Sequence, residues 1–137
     1  FVCELVTHAP LLEHLHAVVV SCDCLRELTS LRRLQTLRLH GSAHEVDPNH
    51  AAAQLAAIIS MPSLRRLSIL ETLLRVWIVA IQMLVTAGRP SSITVLSTRM
   101  FHSWPDETGR HPDPAVADVL PRSVFPSLRH VDAGYLL

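Results

Sequence analysis

Hydrophobic and polar residues follow one short phrase that returns along the chain. Each copy has an aliphatic residue, two variable residues, a second aliphatic residue, one variable residue, and a third apolar or small residue. Because successive side chains of a strand point to opposite faces, the phrase predicts a strand with one buried face. The copies lie at 12–17, 34–39, 64–69, 93–98 and 128–133.

The segments between the phrases have the composition of helices. Pro48 precedes a stretch rich in Ala, Leu and Ile, and Gly88 follows a long apolar one, as is typical of helix starts and ends. The polar stretch 99–112 is predicted to be a loop insertion. Strands that alternate with helices indicate an α/β protein with a parallel sheet. Helices are predicted over 22–33, 49–60, 71–87 and 113–120.

The second phrase fits the pattern in two registers. In the first register, Leu34 is equivalent to Leu64, so the strand follows Leu34. In the second, residues 31–34 match residues 64–67, which would move the strand by three residues. The sequence leaves both registers open.

The phrase resembles the core of a leucine-rich repeat, L-x-x-L-x-L. Ser-Leu-Arg-Arg-Leu at 30–34 and 63–67, and Pro-Ser-Leu-Arg at 62–65 and 126–129, resemble the irregular repeats of F-box/leucine-rich-repeat proteins, fungal examples especially. These proteins belong to the ribonuclease-inhibitor-like superfamily. The resemblance implies that residues 1–137 form one solenoid unit of about five irregular repeats. A curved parallel sheet would carry helices on its convex face.

The resemblance also implies a function. In that family the repeats are the substrate-binding arm of a ubiquitin ligase, while a separate F-box grips the ligase adaptor. No F-box pattern occurs here, so the ligase role would require one upstream of Phe1. Neither end is a polar cap, which predicts exposed apolar ends and a fragment. The alternatives are a repeat scaffold or inhibitor without a ligase role, and a truncated remnant without independent function.

The variable positions of the phrase predict a binding surface on the concave face of the sheet. Arg and His dominate these positions, and the Arg side chain can hold two oxygens of an anion at once. The expected partner is therefore a protein with an acidic peptide, a phosphorylated motif or another anionic group. The alternative is that these are ordinary solvated positions in a chain rich in Arg and His. The positions are His14, His16, Thr36, Arg38, His40, Arg66, Ser68, Val95, Ser97, Arg99, His130 and Asp132.

Charge and motifs argue against several other functions. The chain has twelve Arg and no Lys, balanced by twelve acidic residues, which does not favour a nucleic-acid partner. It has no phosphate-binding glycine loop and no G-x-S-x-G elbow, so we expect no catalytic residue, no cofactor and no enzyme activity. Cys22 and Cys24 have no second pair of zinc ligands, and His14 and His16 have no assured third ligand, so no metal site is predicted.

The sequence also bears on location. The uncharged stretch 76–87 is shorter than the ~20 residues that a membrane-spanning helix needs, so no membrane partner is expected. Cys3, Cys22 and Cys24 are too few and too clustered for a disulfide framework. This usage of cysteine fits a reducing compartment, the cytoplasm or the nucleus.

Overall fold

The computed structural model of the chain describes residues 8–18, 27–40, 48–101 and 120–136. Five strands form one parallel sheet, in the order in which they occur in the chain. The predicted α/β class and parallel sheet are confirmed. The elements are β1 (His14–Val18), β2 (Thr36–His40), α1 (Pro48–Ile59), β3 (Arg66–Leu73), α2 (Leu74–Ala87), β4 (Val95–Phe101) and β5 (His130–Leu136).

The sheet aligns the second aliphatic residue of every phrase in one row. Thr36 pairs with Arg66, so the first of the two registers for the second phrase is correct and the shifted one is wrong. The shifted register fails because residues 31–34 form a turn, in which the Leu34 N–H donates to the Leu31 carbonyl at 3.2 Å. The aligned residues are Leu15, Leu37, Leu67, Leu96 and Val131.

The same turn precedes four of the five strands. In each turn the first leucine of the phrase donates its N–H to the carbonyl three residues earlier, and three of the four turns have Pro in second position, where its fixed φ suits the turn. Before β4 a side chain replaces this bond, because the Ser91 Oγ accepts the N–H of Ile93 at 3.1 Å. The turns span 9–12, 31–34, 61–64 and 125–128.

One core lies between the sheet and the two helices. Leu37, Leu67 and Leu96 are almost completely buried and belong to the same cluster as the apolar faces of α1 and α2. Trp77 of α2 is fully buried and stacks on Phe125, with ring centroids 6.2 Å apart and planes 1° from parallel.

The two helices end as their sequences indicate. α1 falls within one residue of its predicted bounds, and Pro62 ends the segment by excluding helical geometry at Met61. At the end of α2, Gly88 has a φ of 65°. Its N–H donates to Val85 at 3.2 Å, and the N–H of Arg89 donates to Leu84 at 3.0 Å. These two bonds are the Schellman arrangement that closes a helix on glycine.

The predicted start of α2 at Glu71 is wrong, because Glu71–Leu73 continue β3. Ile69 pairs with Thr98 and Thr72 pairs with Met100, so β3 holds one residue more than β4 over this interval. This bulge interrupts the two-residue alternation of buried and exposed side chains, so the sequence pattern does not predict the end of the strand. The strand then passes directly into the helix at Leu74.

Three other predicted segments also need comment. The loop predicted over 99–112 is wrong for its first three residues, because Arg99 to Phe101 pair with β5 despite the polar start. The helix predicted over 22–33 is wrong from Thr29 onward, where the chain turns. Residues 102–112, the first part of the 22–33 helix and the 113–120 helix, except Leu120 in a bend, lie outside the described residues.

The edges of the sheet leave apolar side chains open. Val131 of β5 is 39% exposed although its neighbour in the row, Leu96, is fully buried. Leu11, before β1, is 63% exposed. The chain ends that were expected to be apolar and exposed lie outside the residues whose side chains are described. Within the described segments, the helices are all too short or too polar to cross a bilayer.

We expect Leu67→Ala to lower the free energy of unfolding by about 2–5 kcal/mol, because it leaves a cavity at the centre of the core. Leu11→Ala makes the same chemical change at an exposed site and should alter it by less than about 0.5 kcal/mol. Urea denaturation followed by circular dichroism measures both. If Leu67→Ala does not fold, Ile69→Val should still cost about 0.5–1.5 kcal/mol. Equal effects at Leu67 and Leu11 would contradict the described core.

We expect Gly88→Ala to destabilise the protein by about 1 kcal/mol. A methyl group at Gly88 would contact nothing within 4 Å, so the loss comes from the positive φ alone. Gly88→Asn should recover part of the loss, since Asn tolerates this conformation better than Ala. Thermal denaturation of the three proteins measures the difference. A Gly88→Ala protein as stable as the parent would show that residue 88 does not hold a left-handed conformation.

Candidate partner-binding surface

The face of the sheet opposite the core carries two rows of side chains, which together we call the open face. Each row contains one residue from every strand, aligned by the parallel pairing. All ten side chains are exposed or half-buried, in contrast to the row between them, in which Leu37, Leu67 and Leu96 are buried. The first row is His14, Thr36, Arg66, Val95 and His130. The second row is His16, Arg38, Ser68, Ser97 and Asp132.

The predicted site residues thus lie on neighbouring strands, and the side chains of all of them except His40 and Arg99 are described. His40 pairs with Val18 and Arg99 pairs with Gly134, so the backbone of both lies in the sheet. Their side chains lie outside the described residues. The grouping of the other positions follows from period-two alternation together with the register, and places Arg38 and Arg66 near the centre of the open face.

The spacing of the two central arginines suits an extended ligand. Arg38 and Arg66 lie on adjacent strands, two positions apart along the strand. With strands ~4.8 Å apart and a rise of ~3.3 Å per residue, their Cα atoms are about 8 Å apart. Neither guanidinium forms an ion pair with a carboxylate of the described segments. Both can therefore bind an anionic group of a partner by forked hydrogen bonds.

A second set of positions lies at the rim where the strands begin. For the first four strands, the carbonyl of the residue just before the strand accepts two backbone N–H groups, one from the residue before the next strand and one from the first residue of that strand. Glu13 accepts from Gln35 at 2.7 Å and Thr36 at 3.0 Å, and the pattern repeats along the sheet. The rim residues are Glu13, Gln35, Arg65, Thr94 and Arg129.

Two open clefts lie along this rim. A cleft of about 500 Å³ is lined by Glu13, Arg32, Arg33, Gln35, Ser63 and Arg65. A cleft of about 490 Å³ has Arg65 and Arg129 among its lining residues, together with Ser92, Thr94 and Ser127. The sequence prediction missed these residues. The one available indication was that the second position of three phrases is charged, as Glu13, Arg65 and Arg129.

Charge is distributed unevenly between the segments. The described residues contain ten of the twelve arginines but four of the twelve acidic residues, Glu13, Glu27, Glu71 and Asp132. This part of the chain therefore carries a formal excess of six positive charges, although the whole chain is neutral. The neutral balance of the whole composition, which did not favour a nucleic-acid partner, therefore does not hold for the described residues taken by themselves.

Potential metal ligands do not cluster in the described segments, which contain no group of three His, Cys, Asp or Glu residues that could hold a metal ion. All three cysteines lie outside these segments. Two buried polar side chains remain, Ser91 and Thr98. Ser91 has its partner in Ile93, whereas the buried Thr98 hydroxyl has none among the described residues.

Comparison of the chain with protein-family models, curated proteins and solved structures finds no match. The leucine-rich-repeat and F-box resemblance therefore remains a prediction from the sequence. The function has to be inferred from the geometry of the sheet.

We expect Thr98→Val to raise the free energy of unfolding by about 1 kcal/mol, because it removes a buried hydroxyl that forms no hydrogen bond. Thr98 occupies the row of Leu39 and Ile69, where an apolar side chain fits. Ser91→Ala should instead lower stability by about 1 kcal/mol, since it removes the acceptor for the Ile93 N–H. Chemical denaturation measures both. Destabilisation by Thr98→Val would indicate that the hydroxyl has a partner in the native protein.

Proposed function

We propose that this protein is a non-catalytic recognition module of leucine-rich-repeat type, which binds a protein partner on the open face of its sheet. The observation that carries the proposal is the arrangement of that face. Five parallel strands in chain order present two aligned rows of side chains, all polar except Val95, while the helices occupy the opposite side. A regular array of this kind, with no packed element over it among the described residues, is suited to binding a second macromolecule.

The charge of the open face favours an anionic partner segment. Arg38 and Arg66 occupy its centre, and His14, His16 and His130 flank them. Asp132 is the one acidic residue of the two rows. An acidic or phosphorylated stretch of a protein would match this distribution, and bidentate contacts from arginine would fix its orientation. The proposed compartment is the cytoplasm or the nucleus, where the three cysteines would stay reduced.

We further propose, from the sequence resemblance, that the partner is the substrate of an F-box-type ubiquitin ligase. This role depends on an F-box in the native protein, because a repeat region alone does not bind the ligase adaptor. Purification of the full-length native protein with its associated proteins tests the point. Adaptor in the complex supports the ligase role, and its absence leaves a binding scaffold or inhibitor.

We expect Arg38→Ala combined with Arg66→Ala to weaken binding of the native partner at least about tenfold, since each charge-assisted bond contributes about 1.5–3 kcal/mol. The measurement is quantitative affinity capture from the source cells, comparing the proteins retained by parent and variant. The melting temperature should change little, because Arg38 and Arg66 are both exposed.

Arg89→Ala combined with Arg122→Ala is the matched control. It removes the same charge from two exposed arginines that lie outside the open face, so partner binding should persist. If both double variants lose the same proteins, the effect is one of net charge. If neither loses any, the open face is not the binding site. Non-cooperative unfolding of the parent would support the third alternative, a remnant without independent function.

A further inference from the structure

The rim cleft between β3 and β5 combines features that the open face does not. Arg65 and Arg129 stand at the starts of β3 and β5, on either side of Thr94. With two strand spacings between them, their backbones are about 10 Å apart, so two arginine side chains can converge on one group above Thr94. The side chains of Ser92, Thr94 and Ser127 complete the polar lining of the cleft.

The backbone and the turn hold this lining in place. The Arg65 carbonyl accepts the N–H of Thr94 at 2.8 Å, and the Thr94 carbonyl accepts the N–H of Arg129 at 2.8 Å. The Nη1 of Arg65 donates to the Pro62 carbonyl at 2.7 Å, which orients one edge of the guanidinium. Its Nη2 and Nε have no partner in the described segments and can serve a ligand.

The chemistry of the cleft selects an anion with several oxygens. No carboxylate is among its lining residues, and neither arginine forms an ion pair within the described part of the chain. Arginine forks bind two oxygens each, and the hydroxyl of Ser92 or Ser127 can donate to a third, whereas the Thr94 hydroxyl already donates to the Arg65 carbonyl at 3.2 Å. The neighbouring cleft is less suitable for an anionic ligand. Its lining includes the carboxylate of Glu13 as well as three arginines, and this carboxylate would repel the ligand.

We propose that this cleft is a phosphoryl-binding subsite, and that it takes the phosphate of a phosphorylated serine or threonine in the protein partner. The cleft is continuous with the open face, since Arg65, Thr94 and Arg129 are each followed in the chain by a residue of the first row. A partner segment on that face would reach the rim within one residue. Phosphate binding by the cleft does not depend on the proposed function. The inference that the phosphate belongs to a side chain of the protein partner does rest on the proposed function.

The test is a titration of isotope-labelled protein with inorganic phosphate at constant ionic strength, followed by the backbone amide resonances. A phosphoserine peptide and its unphosphorylated form are titrated in the same way. We expect saturable shifts at Thr94, Ser127 and Arg129 with phosphate, and tighter binding of the phosphopeptide. Constant ionic strength matters because added salt screens any weak charge attraction.

Arg65→Ala combined with Arg129→Ala should weaken phosphate binding at least about tenfold, through loss of charge-assisted hydrogen bonds. Arg32→Ala combined with Arg33→Ala is the matched control, because it removes the same charge from the neighbouring cleft alone. Phosphate binding should survive in this control. An equal loss in both variants, or no saturable shift in the parent protein, would overturn the subsite.

The outcomes also separate this inference from the proposed function. If the protein binds inorganic phosphate but binds the phosphopeptide no more tightly, the cleft is not a site for a phosphorylated side chain of a partner. Loss of partner binding in the Arg38 and Arg66 variant, without any phosphate shift in the parent, would defeat the subsite alone. Saturable phosphate binding in a protein whose partner ignores Arg38 and Arg66 would defeat the open-face function alone.

Discussion

The shared carbonyl at the start of each strand is the constraint on which the rest of the structure depends. Glu13, Gln35, Arg65 and Thr94 each use their backbone carbonyl oxygen to accept two N–H groups at the start of the next strand, at 2.7–3.2 Å. A slip of one residue would break both bonds and turn every side chain of the strand to the other face. The register is therefore specified by backbone bonds at the rim as well as by side-chain packing.

This constraint places the positions of each phrase in different surroundings. Because the register is kept across all five strands, the middle position becomes one row, in which Leu37, Leu67 and Leu96 are buried in the core, and its two neighbours become the open face. The position just before the strand remains at the rim, where its backbone takes part in the alignment and its side chain lines a cleft.

The sequence predicted the features that depend on local pattern and missed those that depend on the sheet. The α/β class, the strands and α1 follow from periodicity, proline and composition. The extra residue in β3 does not, because only pairing with β4 keeps Glu71 to Leu73 extended. The polar sequence from Arg99 onward predicted a loop, but pairing with β5 keeps Arg99 in the sheet. The rim cleft could not be predicted for a related reason. Arg65 and Arg129 are far apart in the sequence and line one cleft only because β3 and β5 lie on either side of β4.

The stacked rings of Trp77 and Phe125 have a consequence for how the chain can vary. Together with the bond from the Ser91 N–H to the Val124 carbonyl at 2.6 Å, they anchor the approach to β5 independently of the segment that joins it to β4. Both ends of that connection are thus held by contacts from outside it. Lengthening a connection between two fixed ends costs little free energy, about 0.6 kcal/mol per doubling. The contacts of the described residues therefore hold β4 and the approach to β5 in place whatever number of residues joins Phe101 to Leu120.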